Sequence, residues 1–230
     1  MEEVNTILVV TPHPDDAESG AGASIARWTQ EGKKVVLVVC TDGRNGTSDR
    51  SVRPEDLAAT REKEQREAAE VLGISEVVFL RFPDQTLDDT SDFREKLVRQ
   101  IRTHRPEVVV TVDPNRKYIR HRDHHWCGRV TLDAVFPYAR DYLSYPEHAE
   151  EGLEPHKVRE VLLWGSDEPD LVLDATDTFD IKMKALNKHA SQVGDPNPDR
   201  EQRARTRYGA VGKKIGTELA EQFKLVQIFR

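Results

Sequence analysis

Apolar residues come in short, dense runs along this chain. Ile7-Leu8-Val9-Val10, Val35-Val36-Leu37-Val38-Val39, Val77-Val78-Phe79-Leu80 and Val108-Val109-Val110-Thr111-Val112 are near-continuous rather than alternating, the pattern of strands buried on both faces. They predict strands over residues 4–10, 35–39, 77–80 and 107–112. Between them the apolar positions recur at helical steps. Ala21, Ile25 and Trp28 share a face of a helix over 19–31, closed by Gly32. Leu57, Arg61, Glu64, Ala68, Val71 and Leu72 share a face over 55–72, and a third helix covers 91–104. Arg61 and Glu64 are three apart, so they can pair with each other or brace a pocket wall. Strand and helix alternate four times, which predicts an α/β fold with a Rossmann-like, mostly parallel, doubly wound sheet.

Beyond residue 140 the pattern thins. Val158–Trp164 and Leu171–Leu173 read as two more strands, antiparallel and outside the main core, in a small C-terminal extension of strands and helices. A helix is expected over 176–191, with Phe179, Met183, Leu186 and Ala190 as its apolar stripe. Arg200, Arg203, Arg205 and Arg207 follow as a solvated face, a subunit contact or a pocket lid. The whole chain, 1–230, is read as a single domain.

Composition narrows the function classes. Charged residues make up 33% of the chain and the net charge is −7, which argues against a general nucleic-acid or anionic-membrane binder. No apolar run approaches the ~20 residues that cross a bilayer, so no membrane insertion is expected. A strand begins almost at Met1, with no signal peptide before it. The two cysteines, Cys40 and Cys127, form no disulfide framework and suit a reducing cytoplasm. A homo-oligomer is expected.

Two stretches carry the chemistry. The first predicted strand runs into Thr11-Pro12-His13-Pro14-Asp15-Asp16-Ala17-Glu18, and the fourth into Asp113-Pro114-Asn115, then Tyr118, then His121-Arg122-Asp123-His124-His125. Both leave C-terminal strand ends, where α/β proteins place their sites. Prolines on each side of His13 keep that turn out of a helix. Adjacent aspartates on a bent loop point different ways, so one can hold a metal while its neighbour faces the reaction. His13, one of these aspartates and one histidine of the second cluster make a three-ligand set with an open position, as catalytic zinc requires. The cysteine supply is too poor for a structural zinc site. Thr41-Asp42-Gly43-Arg44-Asn45-Gly46-Thr47 has no phosphate-loop pattern, so it is read as pocket rim. The loops around 84–90, 113–120 and 140–156 join it there, and Trp164 and Tyr142 are aromatic candidates to stack on a bound ring.

Taken together, the motifs resemble the LmbE-like (PIG-L) family of zinc-dependent N-deacetylases over most of the chain. The resemblance rests on His13-Pro14-Asp15-Asp16, Thr41-Asp42-Gly43, Arg61-x-x-Glu64 with Ala68-Ala69 and Leu72-Gly73, and His121-x-Asp123-His124-x-x-x-Gly128. Lys182-x-x-Ala185-Leu186-x-x-His189-x-Ser191-Gln192 adds to it. It implies that His13, Asp16 and His124 are the metal ligands and Asp15 the general base. It implies too that His121 serves the oxyanion or acts as acid, with Asp123 orienting its ring. Pro12 stands where the family often has Ala, Arg122 where it often has Pro, and Tyr118 lies further from the histidines than the family's tyrosine. His125 is extra.

The reaction expected on these grounds is hydrolysis of the acetamide of an N-acetylated, N-acetylglucosamine-type sugar, with Zn2+ or another divalent ion as cofactor. The alternatives are an amidase acting on a thiol–sugar conjugate, and a non-catalytic metal- or nucleotide-binding protein on the same scaffold.

Overall fold

The computed structural model describes residues 4–118 and 120–228. Residues 1–3, on which the expectation of no signal peptide falls, lie outside the described residues. The first half alternates as expected: β1 (Thr6–Thr11), α1 (Asp16–Gln30), β2 (Lys34–Thr41), α2 (Pro54–Leu72), β3 (Glu76–Phe82), α3 (Ser91–His104), β4 (Val108–Val112) and α4 (Arg122–Asp133). A π-helical turn at Ala134–Tyr138 continues α4, and α5 (Glu147–Glu150) is a single turn. Then come β5 (Glu160–Trp164), β6 (Leu171–Asp174), α6 (Phe179–Leu186), α7 (Ala190–Val193), α8 (Pro198–Gly212) and β7 (Ala220–Gln227).

Among the described residues, one seven-stranded sheet holds all the strands, in the order β3-β2-β1-β4-β5-β7-β6. The mostly parallel α/β architecture read from the sequence is therefore the one observed. The chain steps outward from β1 to β2 to β3, then returns to lay β4 on the other side of β1. That reversal opens a crevice at the C-terminal ends of β1 and β4. Ile7–Val10, Val35–Cys40 and Val108–Val110 are essentially inaccessible, sealed by α1, α2, α3 and α4. Gly128 lets α4 lie directly on the end of β4, since a Cβ there would stand 2.3 Å from the Val112 carbonyl oxygen.

The C-terminal third corrects three expectations. β5 is parallel to β4 and belongs to the main sheet. The antiparallel strand is β7, which pairs with β5 on one side and β6 on the other. Its sequence, AEQFKLVQ, hides it: Glu221 is buried with its carboxylate on the Lys182 ammonium, so a polar letter occupies a core position. The helix expected over 176–191 is broken between α6 and α7, because His189 leaves helical geometry at ψ 53° and turns inward.

Candidate metal centre and active site

The turn after β1 is built by its own backbone needs. The Pro12 carbonyl accepts from both the backbone N–H and the hydroxyl of Thr41, at 2.9 and 2.8 Å, tying the turn to β2. Asp15 then takes a left-handed conformation, φ 97°, which a non-glycine residue holds only when its surroundings impose it. Two side chains from α2 do so. Gln65 accepts the Asp15 N–H at 3.2 Å, and is itself fixed by donating to buried Glu18 at 2.7 Å. The Arg61 guanidinium donates to the Pro14 carbonyl at 2.6 Å and the Gly43 carbonyl at 2.9 Å, and lies 3.4 Å from the Asp15 carboxylate. Gly43 has φ +63°, and a Cβ there would meet that guanidinium at 2.5 Å. Glu64 does not pair with Arg61 but accepts the N–H and hydroxyl of Ser191, at 2.7 and 2.6 Å. Arg61 and Glu64 thus brace the wall separately.

Across the crevice, His121 caps α4, its Nδ1 accepting the Asp123 N–H at 3.2 Å. His124 sits one turn further on, and the two imidazole rings lie 5.4 Å apart. The structure brings all six expected residues together. Asp16 Oδ2 is 2.9 Å from His13 Nδ1 and 3.1 Å from His124 Nε2. The Asp123 carboxylate faces His13 Nε2, at 3.1 Å, rather than the His121 ring, and is held by the N–H groups of Gln85 and Leu87 at 2.6 and 3.0 Å. Its link to His121 runs through its own backbone N–H.

Asp84, just after β3, was not among the expected residues. Its Oδ1 stands 3.1 Å from His13 Nε2 and its Oδ2 accepts the Asn45 N–H at 3.1 Å. The signal was available, since Pro83-Asp84 follows a predicted strand at the same end of the sheet. Gln65 was also missed, a polar residue that reads as ordinary helix surface, and Glu18, at the end of the His13 stretch, had been given no role. Tyr118 is 98% exposed, outside the cluster. His125 contacts the Pro114 carbonyl, and Arg140 pairs with Asp141.

Three carboxylates around one imidazole make the site electrostatically one-sided. Burial lowers the His13 pKa, but hydrogen bonds to Asp123, Asp16 and Asp84 outweigh it and push the value up to about 12. Burial would raise Asp16, yet His124 and His13 hold it well below the usual carboxylate range. Asp15, without such a partner, is raised to about 7 by burial and then by the charge of Asp16, with Arg61 opposing. His121 is lowered by burial and by the charge on His13. A cluster that draws a proton so strongly is one in which a cation is at home. Among the described residues, His13, His121 and His124 offer ligand atoms within 4.8 Å of one another, as do His13, Asp84, His121 and Asp123. The Asp16 contacts, near 3 Å on each side, have the spacing of neighbouring donors on an ion with bonds of roughly 2.0–2.1 Å.

The sequence profile of the PIG-L (GlcNAc-PI de-N-acetylase) family matches residues 8–135, from β1 through α4. The chain belongs to the PIG-L family. The resemblance read from its motifs is thereby borne out. This PIG-L protein is 33% identical over 194 residues to a diacetylchitobiose deacetylase of Thermococcus kodakarensis, spanning 83% of this chain and 71% of that one. It is 30% identical to a 1D-myo-inositol 2-acetamido-2-deoxy-alpha-D-glucopyranoside deacetylase of Saccharopolyspora erythraea, over 81% of this chain and 83% of the other. Among solved structures, the N,N'-diacetylchitobiose deacetylase of Pyrococcus horikoshii superposes with a TM-score of 0.91 at 30% identity, covering 98% of this chain and 85% of that one. Among the described residues of this PIG-L protein, no helix is long and apolar enough to cross a membrane.

Proposed function

We propose that the chain hydrolyses the acetamide of an N-acetylglucosamine-type sugar, with zinc held by His13, Asp16 and His124. Its family makes it an N-deacetylase, a hydrolase of linear amides. The observation that carries the finer reading is the Asp16 carboxylate standing between His13 and His124 at the mouth of the β1–β4 crevice. The rival set, with Asp84 and Asp123, is less suited, because both oxygens of Asp123 are taken by the backbone N–H groups of Gln85 and Leu87, whereas Asp16 Oδ2 accepts one, from His13 at 3.2 Å. What a divalent cation supplies when held there is Lewis acidity toward water and toward the amide carbonyl.

The chain's own residues do the rest. Asp15 accepts a proton from the attacking water, and Arg61 steadies its carboxylate. His121 donates to the oxyanion. With Nδ1 accepting the Asp123 N–H, a neutral His121 carries its proton on Nε2, so it can donate without being charged. Asp123 positions His13 through their shared hydrogen bond. The C–N bond breaks as Asp15 returns its proton to the leaving amine.

The test strips the metal, restores zinc or another divalent ion, and measures acetate from a panel of N-acetylglucosaminides. Zinc-dependent acetate release supports the reading. Faster cleavage of a thiol–sugar conjugate would favour the amidase, and no acetate from any member would exclude the deacetylase. The same proposal includes a cytoplasmic homo-oligomer. Cys40 and Cys127 meet as buried free thiols with Sγ atoms 3.7 Å apart, a state that suits a reducing compartment. Tyr142 and Leu143 expose 58% and 85% of their surface on one loop, which a second copy would bury; light scattering measures the mass.

A further inference from the structure

A cavity of about 400 Å³ opens beside the centre, with Asp16 and His124 on its wall. Trp164 from β5, Arg116 from the loop after β4, and Arg207 and Tyr208 from α8 complete its lining. That volume suits a small ligand and extends beyond what an acetamide needs.

The charge of the cavity is unusual for this chain. With a net charge of −7, carboxylates are plentiful, and most arginines have found one: Arg27 pairs with Asp174, Arg129 with Asp133, Arg205 with Glu201. Among the described residues, four exposed arginines, Arg50, Arg116, Arg203 and Arg207, have no carboxylate partner and donate no hydrogen bond; Arg50 lies outside the lining of this cavity, and Arg207 only lies over the Tyr208 ring. Arg116 and Arg207 line this cavity, and Arg203 and Arg207 line the one adjoining it. Arg203 and Arg207 are one helical turn apart on α8, where like charges repel unless an anion lies between them. None of the three acids of the cavity pairs with these arginines, and Asp16 stands between His13 and His124. Glu221 is committed to Lys182 at 2.7 Å, and Asp167 accepts the Lys117 N–H at 2.8 Å.

We propose that this cavity receives the group attached to the N-acetylated sugar and selects one bearing a carboxylate or phosphate, read by Arg116 and Arg207. The planar guanidinium fork matches both anions. The inference rests on the deacetylase reading of the neighbouring site and adds the substrate's charge to it.

The experiment compares three N-acetylglucosaminides that differ only at the anomeric group: methyl, carboxymethyl and phosphate. With zinc-loaded protein, kcat/KM for the anionic compounds exceeds that for the methyl glycoside by about tenfold or more, and the ratio shrinks as salt is raised. The double variant Arg116→Gln, Arg207→Gln brings the ratio toward one through a higher KM for the anionic compounds. The control Arg50→Gln, at an exposed arginine outside the cavity lining, leaves it in place. A wild-type ratio near one, or a ratio the double variant does not move, overturns the proposal. If none of the three releases acetate, the deacetylase reading fails instead. Calorimetric binding of the same compounds then decides: tighter binding of the anionic ones, lost in the double variant, supports the cavity assignment, and equal binding overturns it.

Discussion

Helix α1 touches two clusters of buried charge, and they differ in whether the charges cancel. Along its middle, the Lys182 ammonium donates to Glu221 at 2.7 Å, to the Tyr208 hydroxyl at 2.6 Å and to the Ser19 carbonyl at 2.8 Å, using all three of its N–H groups. Glu221 also accepts from the N–H groups of Ala23 and Ser24 and from the Ser24 hydroxyl. One positive charge meets one negative charge, and every hydrogen-bonding position is filled. At its N-terminus, Asp16, Asp84 and Asp123 surround His13, and the carboxylates outnumber the imidazole they share. Burial is common to both. The first cluster is closed and serves the architecture, whereas the second carries a surplus of negative charge that a cation would balance.

Substitutions should separate the two. The largest effect is expected at Asp15, which belongs to neither balance: Asp15→Asn should lower turnover by roughly 10²–10⁴-fold while bound metal, read by elemental analysis, stays near normal. Lys182→Met leaves Glu221 buried without its partner and should cost about 3–5 kcal/mol of stability in a denaturant titration, with metal content unchanged. His121→Ala should keep the metal and lose about 10²–10³-fold in rate; a variant unable to hold metal would make His121 a ligand instead. Adding zinc at about a hundred times its dissociation constant should stabilise the wild type by about 2.7 kcal/mol. That gain should vanish in Asp16→Asn and persist in Lys182→Met, and the reverse outcome would exchange the roles of the two clusters. The smallest effect is expected for Gln65→Leu, which removes the acceptor for the strained Asp15 N–H and should slow turnover roughly tenfold at unchanged metal content.

The sequence was most legible where apolar letters and turn chemistry coincide. β1, β2 and β4 could be read from valine-rich runs, and the His13 and His121 turns from the polar letters that end two of those runs. What escaped was written in polar residues that fold inward. β7 was lost because Glu221 is a core residue only in the company of Lys182, a partner from another element. The α6–α7 break was lost because His189 gives up helical geometry to reach the neighbourhood of Glu18, 3.5 Å from its carboxylate. Gln65 looks like ordinary helix surface until α1 and α2 are laid side by side. Pairwise burial of polar groups has no periodicity, so no single-strand pattern reveals it. Asp84 differs, since it obeys the same strand-end rule that exposed His13 and could have been read from it.

The place of β7 has a bearing on how the molecule assembles. It follows every other strand in the chain, yet it lies between β5 and β6 and not at a margin of the sheet. Until it arrives, β6 has no neighbour and β5 presents an open edge of backbone groups, the kind of surface on which chains stick to one another. Lys182 meanwhile has no carboxylate to meet. The valine-rich half can collapse on local crossovers, but closure waits for a segment pairing with residues some sixty positions earlier, Trp164 with Phe223 and Glu160 with Gln227, a long-range step that slows folding. A chain cut before Ala220 would retain each residue of the His13–His124 centre and still be an aggregation-prone intermediate, so the integrity of the catalytic end depends on the timing of a strand that supplies it with no metal ligand and no acid or base.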